Sequence, residues 1–257
     1  MNADALTEAE RTRILAKSAR FAPPPPVLAD GRRELVGLSR EELAAVLSEI
    51  GEKPFRARQL WHWIYHQGAT DFARMSTIAR PLQARLGERF AIGRPSLATR
   101  QTSEDGTEKF LFRFRDGQEV ESVYIPSLDE IRGAACLSAQ VGCTLACRFC
   151  HTGTQPLARN LAAAEIVGQF MALRDAYGEW PSPAGEQPRR LSNIVLMGMG
   201  EPLYNYEAVG AAMRIVSDGE GIGLSRRRIT LSTSGVVPMM DRCGTELGVN
   251  LAVSLHA

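Results

Sequence analysis

The feature that most constrains this chain is a repeated apolar run that ends in small polar residues. Ile194-Val195-Leu196-Met197 stops in Gly198-Met199-Gly200-Glu201-Pro202. Arg228-Ile229-Thr230-Leu231 runs into Ser232-Thr233-Ser234-Gly235, and Val249-Asn250-Leu251-Ala252-Val253 ends in Ser254-Leu255-His256. Short apolar runs bounded by such turns read as buried strands, and helix-length segments between them imply a parallel sheet with crossover helices. In barrels of this kind the functional groups stand at the C-terminal ends of the strands, where each polar tip would lie. The glycine-rich turn after Met197 also lets backbone approach a ligand closely.

Upstream of these runs, Cys143, Cys147 and Cys150 have the spacing C-x3-C-x2-C and offer three thiolates in one tight loop. A structural zinc site wants four protein ligands, whereas an iron–sulfur cluster held by three cysteines leaves one iron open to chemistry. Spacing alone leaves three readings open: the open cluster, a zinc site completed by Cys136 or His151, and ordinary buried cysteines. Five cysteines, three of them clustered, suit a reducing compartment better than a disulfide framework.

The rest of the chain divides by local signals. Residues 1–35 contain Pro23-Pro24-Pro25-Pro26 and few apolar positions, which predicts a flexible extended tail. Residues 36–100 read as a small helical domain. Ser39-Arg40-Glu41-Glu42 is a capping box opening a helix to Ile50, a second helix runs from Phe55 to His66, and a third begins near Pro81. Residues 101–128 read as a β-hairpin turning at Asp116-Gly117, and residues 129–257 as the βα sheet. Gly178 to Pro188 reads as a surface loop. With formal charge +1 and 44% hydrophobic residues, the composition neither demands nor excludes a nucleic-acid partner. Neither a basic-then-apolar leader nor an apolar run of about 18 residues is present, so the chain reads as cytoplasmic with no membrane partner.

Taken in order, Cys136-x6-Cys143-x3-Cys147-x2-Cys150, Arg159-Asn160-Leu161 with Glu165-Ile166, Gly198-Met199-Gly200-Glu201-Pro202, Leu231-Ser232-Thr233-Ser234-Gly235 and Ser254-Leu255-His256 closely resemble the RlmN/Cfr family. Lys53-Pro54-Phe55-Arg56-Ala57-Arg58-Gln59-Leu60 and Glu121-Ser122-Val123-Tyr124-Ile125-Pro126 extend the resemblance from about Leu38 to the last residue. The resemblance implies a partial (βα) radical-SAM barrel of the α/β class, ending here after about four strands and preceded by the helical domain and hairpin. It implies methylation of adenine carbon 2 in 23S rRNA and tRNA, with a 4Fe-4S cluster and S-adenosyl-L-methionine as cofactors. Carbon 2 lies between two ring nitrogens and is too electron-poor to attack a methyl sulfonium, which is why a radical route is needed.

Residue by residue, the resemblance assigns Cys143, Cys147 and Cys150 to the cluster. It assigns Gly200, Glu201, Ser232, Ser254, Leu255 and His256 to S-adenosylmethionine. Glu121 matches the family's proton acceptor, and Cys136 the cysteine that resolves a covalent RNA intermediate, at the start of the first barrel strand. The resemblance further implies an electron donor such as flavodoxin, a monomer at full length, and a disulfide bond. Arg56, Arg58, Trp61, Trp63 and Tyr65 are candidates for RNA contact, although the helical spacing of Leu60, Trp61 and Ile64 reads as core. Arg226-Arg227-Arg228 reads as a solvated charge run. The family's methyl-carrying cysteine has no counterpart. Cys243 lies in a helix and reads as structural, so the chain is expected to be a truncated and inactive form. The alternatives are another radical enzyme, such as a glycyl-radical activase, or an inactive RNA- or metal-binding module.

Overall fold

A computed structural model describes residues 3–127, 132–182 and 189–255. In chain order the elements are α1 (Ala3–Ala19), β1 (Arg33–Glu34), α2 (Arg40–Glu49), α3 (Arg56–Trp61), α4 (Arg80–Arg89) and β2 (Phe90–Ala91). There follow β3 (Ser96–Thr102), β4 (Glu108–Arg113), β5 (Glu119–Pro126), β6 (Gly133–Cys136), β7 (Gln140–Val141) and β8 (Arg159–Asn160). The last are α5 (Ala163–Tyr177), β9 (Leu191–Leu196), α6 (Tyr206–Ser217), β10 (Ile229–Thr233), α7 (Val237–Glu246) and β11 (Asn250–Val253).

One seven-stranded sheet organises the molecule, in the order β11-β10-β9-β6-β5-β4-β3. From β6 to β11 the pairing is parallel, as the apolar runs predict, and these are the four strands of the expected partial barrel. The expected hairpin forms as β4-β5, and β3 extends it into a three-stranded antiparallel meander, continuous with that sheet because β5 pairs directly with β6. Ile194, Leu196, Ile229 and Leu231 are buried in a core shared with Ile166, Phe170, Val209 and Met213 of α5 and α6. Among the described residues, no helix is long and apolar enough to cross a membrane.

The capping box forms as read: Ser39 Oγ accepts from the N–H of Glu42 at 3.2 Å, and Glu42 Oε2 accepts from the N–H of Ser39 at 2.7 Å. The second helix ends sooner than expected, at Trp61, and gives way to a π-helical turn over His62–His66. Trp61 and Tyr65 are core residues and do not present their rings for stacking. The Trp61 indole donates to Asp218 at 3.2 Å, while Arg58 pairs with Glu220 at 2.9 Å and Arg40 with both acids. Trp63 donates to Thr77 Oγ1 at 2.8 Å, and Arg56 to Gln59 at 2.7 Å. Most of the candidate RNA face therefore fastens the helical domain to itself and to the loop after α6.

The expected flexible tail is the largest departure. Residues 3–19 form α1, whose Ile14 joins the core and whose Arg11 donates to the Pro238 carbonyl at 2.7 Å. Beyond it, the N–H of Asn160 donates to the Phe21 carbonyl at 2.7 Å. The proline run hides this helix from a composition argument because it lies after the helix, not within it.

Candidate functional site

Side chains alternate across a strand, so burial of Ala135, Ile194, Leu196 and Leu231 under the helices turns Cys136, Val195, Thr230 and Ser232 to the opposite face. Register carries Glu121 to that same face. Val123 pairs with Cys136, and Val120, Ser122 and Tyr124 occupy the buried side of β5, leaving Glu121 and Val123 on the open side. Glu121 is 45% exposed and paired with Lys109 at 3.1 Å. Ser232 and Ser254 face each other across β10 and β11, with hydroxyl oxygens 3.4 Å apart. Leu255 is 88% exposed, and His256 lies outside the described residues.

Between β7 and β8, which pair antiparallel, residues 142–158 form the cysteine loop. Its turns are local: the N–H of Cys150 donates to the Cys147 carbonyl at 3.1 Å, and the N–H of Cys143 to the Gln155 carbonyl at 3.3 Å. All three thiols are half-buried. Burial pushes the Cys143 thiol up, against a hydrogen bond from the Leu145 N–H; the neighbouring Cys147, Cys150 and Glu201 push the same way as burial. Arg159 pins the loop base. Its guanidinium makes two 2.8 Å bonds to Glu165 on α5 and a 2.6 Å bond to Asp116 in the β4–β5 turn.

Among the described residues, no three Cys, His, Asp or Glu side chains converge on one point as ligands of a single ion must. The donor set fits a polynuclear cluster, in which each of three thiolates binds a different iron. His151 lies in the loop but is exposed at the start of a one-turn helix, Cys136 is buried on β6, and neither gathers with the three thiols into a single-ion ligand set among the described residues.

The turn after β9 lies directly against residues 137–140. The N–H of Gly198 donates to the Leu137 carbonyl at 3.1 Å, that of Met199 to Ser138 Oγ at 2.9 Å, and that of Ala139 to the Met199 carbonyl at 2.8 Å. A Cβ on Gly198 would come within 2.8 Å of the Leu137 carbonyl, and one on Gly200, at φ +94°, within 2.6 Å of Gln140 Cγ. Glycine is required at both. The Glu201 carboxylate is buried and fully committed, accepting from the N–H of Leu203 at 3.1 Å and from the N–H and hydroxyl of Ser234 at 2.9 and 3.1 Å. Its side chain thus ties the turn to the β10 tip, and a ligand at this turn meets backbone.

Cys136 is the last residue of β6, not the first, and so stands at the functional end of the strand. Burial pushes its thiol up to about 11 despite a hydrogen bond from the Met197 backbone. All five cysteines are free thiols, which corrects the expected disulfide. Cys136, Cys243 and the three loop cysteines lie on separate elements, and Cys243 is buried in α7, where the sequence placed it as structural.

Sequence reasoning missed the buried polar residues that hold these parts in place. Gln169 on α5 accepts from Ser122 Oγ at 2.8 Å and from the Ser138 N–H at 3.0 Å, and donates to the Ser138 carbonyl at 3.1 Å. Asn205 donates to the Ala139 and Leu161 carbonyls, both at 2.8 Å. The available signal was polarity in apolar surroundings: Ser138 and Gln140 within Ala134–Val141, and Gln169 within Ile166–Met171.

Residues 33–92 match the ribosomal RNA large subunit methyltransferase N-terminal domain, and residues 137–251 match the radical SAM superfamily. A dual-specificity RNA methyltransferase RlmN of Acidiphilium cryptum is 77% identical over 254 residues, which are 99% of this chain and 65% of that protein. Its counterpart in Gluconobacter oxydans is 75% identical over 99% of this chain and 62% of its own length. The crystal structure of a radical SAM methyltransferase from Sphaerobacter thermophilus superimposes with a TM-score of 0.77 at 42% identity, covering 90% of this chain and 64% of that one. The chain thus spans a little under two-thirds of the length of the relatives it matches.

Proposed function

Because the chain belongs to the RlmN family, we propose that it carries the helical domain and the cofactor-binding part of the barrel of a radical S-adenosylmethionine methyltransferase acting on adenine carbon 2 of 23S rRNA and tRNA. One observation carries this reading: the three-cysteine loop, the Gly198–Glu201 turn, Cys136, Ser232 and Ser254 all stand at the C-terminal edge of the four parallel strands, with Glu121 brought beside them by β5.

Cys143, Cys147 and Cys150 would hold a 4Fe-4S cluster. When bound and reduced, that cluster supplies an electron to S-adenosylmethionine, opening radical chemistry at a carbon that polar methyl transfer does not reach. The backbone of Gly200-Glu201, the hydroxyls of Ser232 and Ser254, and the segment Leu255-His256 would bind and orient the cofactor. Glu121 would accept the proton leaving the base, which requires it to part from Lys109. Cys136 lies on the same face, one strand away and two positions along, and would supply the resolving thiol. In the described conformation burial keeps it protonated at neutral pH, so its attack as a thiolate awaits a base or an opening of the site. The electron donor would be a small reduced carrier of the flavodoxin kind, met by a cytoplasmic monomer.

The test is anaerobic reconstitution with iron and sulfide. About four irons per chain are expected, and Cys143→Ala, Cys147→Ala and Cys150→Ala should each abolish loading. Stoichiometric zinc with no iron–sulfur absorption would refute the reading.

A further inference from the structure

The two halves of the site, cysteine loop and glycine turn, come from segments some 60 residues apart, yet one side chain binds both. Gln140 is 1% exposed at the base of the loop. Its Oε1 accepts from the N–H of Thr144 at 3.2 Å and from the N–H of Glu201 at 3.0 Å. Two backbone donors on one atom identify that atom as the amide oxygen. Its Nε2 donates to Thr144 Oγ1 at 2.8 Å and to Asn160 Oδ1 at 2.7 Å. Asn160 in turn donates to the carbonyl and hydroxyl of Ser18 at 3.1 and 2.9 Å, tying the arrangement to α1. On the same side, Lys17 sits 5.1 Å over the ring of Tyr204, three residues beyond Glu201.

We propose that Gln140 is a positioning residue that fixes the spacing between the cysteine loop and the Gly200–Glu201 turn, with Asn160 and α1 holding Gln140 in register. The proposal rests on the cluster-and-cofactor reading of those two segments. A buried glutamine serving the fold alone needs only satisfied hydrogen bonds, which its own short ladder could supply. The bonds of Gln140 go instead to the N–H groups directly following Cys143 and Gly200. Because both donors share one oxygen, neither segment can move by more than a hydrogen bond's length without one of them losing its partner. A buried network of this kind, with every member satisfied, rigidifies what it joins.

Amide hydrogen exchange on the cluster-free chain reads this directly. Gln140→Met keeps the volume and removes both acceptor and donor. Exchange at Thr144 and at Glu201 should each quicken at least tenfold, while Ile194–Leu196 of β9 exchange as before. Gln140→Glu keeps the acceptor and should hold both amides within about threefold of wild type. Should Gln140→Met unfold, Asn160→Ala releases the far end of the same amide and should quicken Thr144 and Glu201 together by a smaller factor. Quickening at one amide alone, or equal quickening in Gln140→Met and Gln140→Glu, would overturn the proposal. After reconstitution, Gln140→Met should keep the wild-type iron content, since the three cysteines remain, but bind S-adenosylmethionine on the order of tenfold more weakly. A wild-type chain that takes up no cluster would refute the functional reading and leave the exchange result standing.

Discussion

Replacing Gln169 by leucine separates polar organisation from packing, because the two side chains are close in size and the site is fully buried. Gln169 uses both amide hydrogens, on the carbonyls of Ser138 and Glu165, and both oxygen lone pairs, for Ser122 Oγ and the Ser138 N–H. The Glu165 carbonyl keeps its helical partner, so the change strands the Ser138 N–H, the Ser138 carbonyl and the Ser122 hydroxyl. Each stranded group costs about 1–3 kcal/mol, partly offset by burying the leucine methyls, so the net loss should be about 2–5 kcal/mol. For a chain of this length that lowers the melting temperature by roughly 5–15 °C. Calorimetry and urea unfolding followed by circular dichroism give both numbers. Ser122→Ala added to Gln169→Leu removes one stranded hydroxyl, so the pair should cost less than the sum of the singles. A loss below about 1 kcal/mol, or strict additivity, would show that this polar cluster does not hold Ser138 against the glycine turn.

Arg159→Met should cost about 3–5 kcal/mol in urea unfolding, since it leaves Glu165 and Asp116 without their buried partner; a cost under about 1 kcal/mol would mean the β7–β8 ladder alone closes the loop. Burial acts to raise the Asp116 carboxyl, but hydrogen bonds from Arg159 and the Gln118 N–H outweigh it and hold the group below its ordinary range. A depressed folded value gives stability that is present above the unfolded value and lost as pH falls through the folded one, so Asp116→Asn should flatten the acid loss below about pH 4. Equal acid slopes in the two proteins would refute that assignment. Burial of Cys136 should make its alkylation at pH 8 about a hundredfold slower than that of an exposed thiol, read by peptide mapping after timed labelling. Labelling of Cys136 as fast as Cys147 would show that the strand end opens freely.

How much of this the sequence carried depended on whether the signal was local. Parallel strands with polar tips were legible from Ile194–Met197 and Ile229–Leu231 because burial on the helix side forces apolar runs. The capping box at Ser39 and the turn at Asp116-Gly117 were legible because each is decided within four residues. The docking of α1 was not, since it depends on Asn160 reaching Ser18 across 142 residues. Likewise Trp61 and Tyr65 look like ring donors for RNA until the loop after α6 supplies Asp218 and Glu220 to the same helix face. The commitment of Glu201 to Ser234 was also invisible, because only register between β9 and β10 brings the two tips together.

Under the proposed function, Cys136 and Glu121 each have something to shed before they can act on the open face: burial for the thiol and Lys109 for the carboxylate. Cys136 and Glu121 stand on one face of adjacent strands, two positions apart in register, and each is restrained differently. Cys136 is restrained by burial beside the Met197 backbone, which disfavours the thiolate. Glu121 is restrained by Lys109, one strand further out on the meander. A planar base entering over Val123 would exclude water from the face and compete with Lys109 for the carboxylate. Under the proposed function, a phosphate carried with that base would compete for Lys109, which is half-exposed on a flexible chain. If Glu121 is the proton acceptor of the proposed reaction, its pairing with Lys109 must be broken when substrate arrives. The antiparallel meander thus contributes a side chain to the face, because β4 places Lys109 beside Glu121.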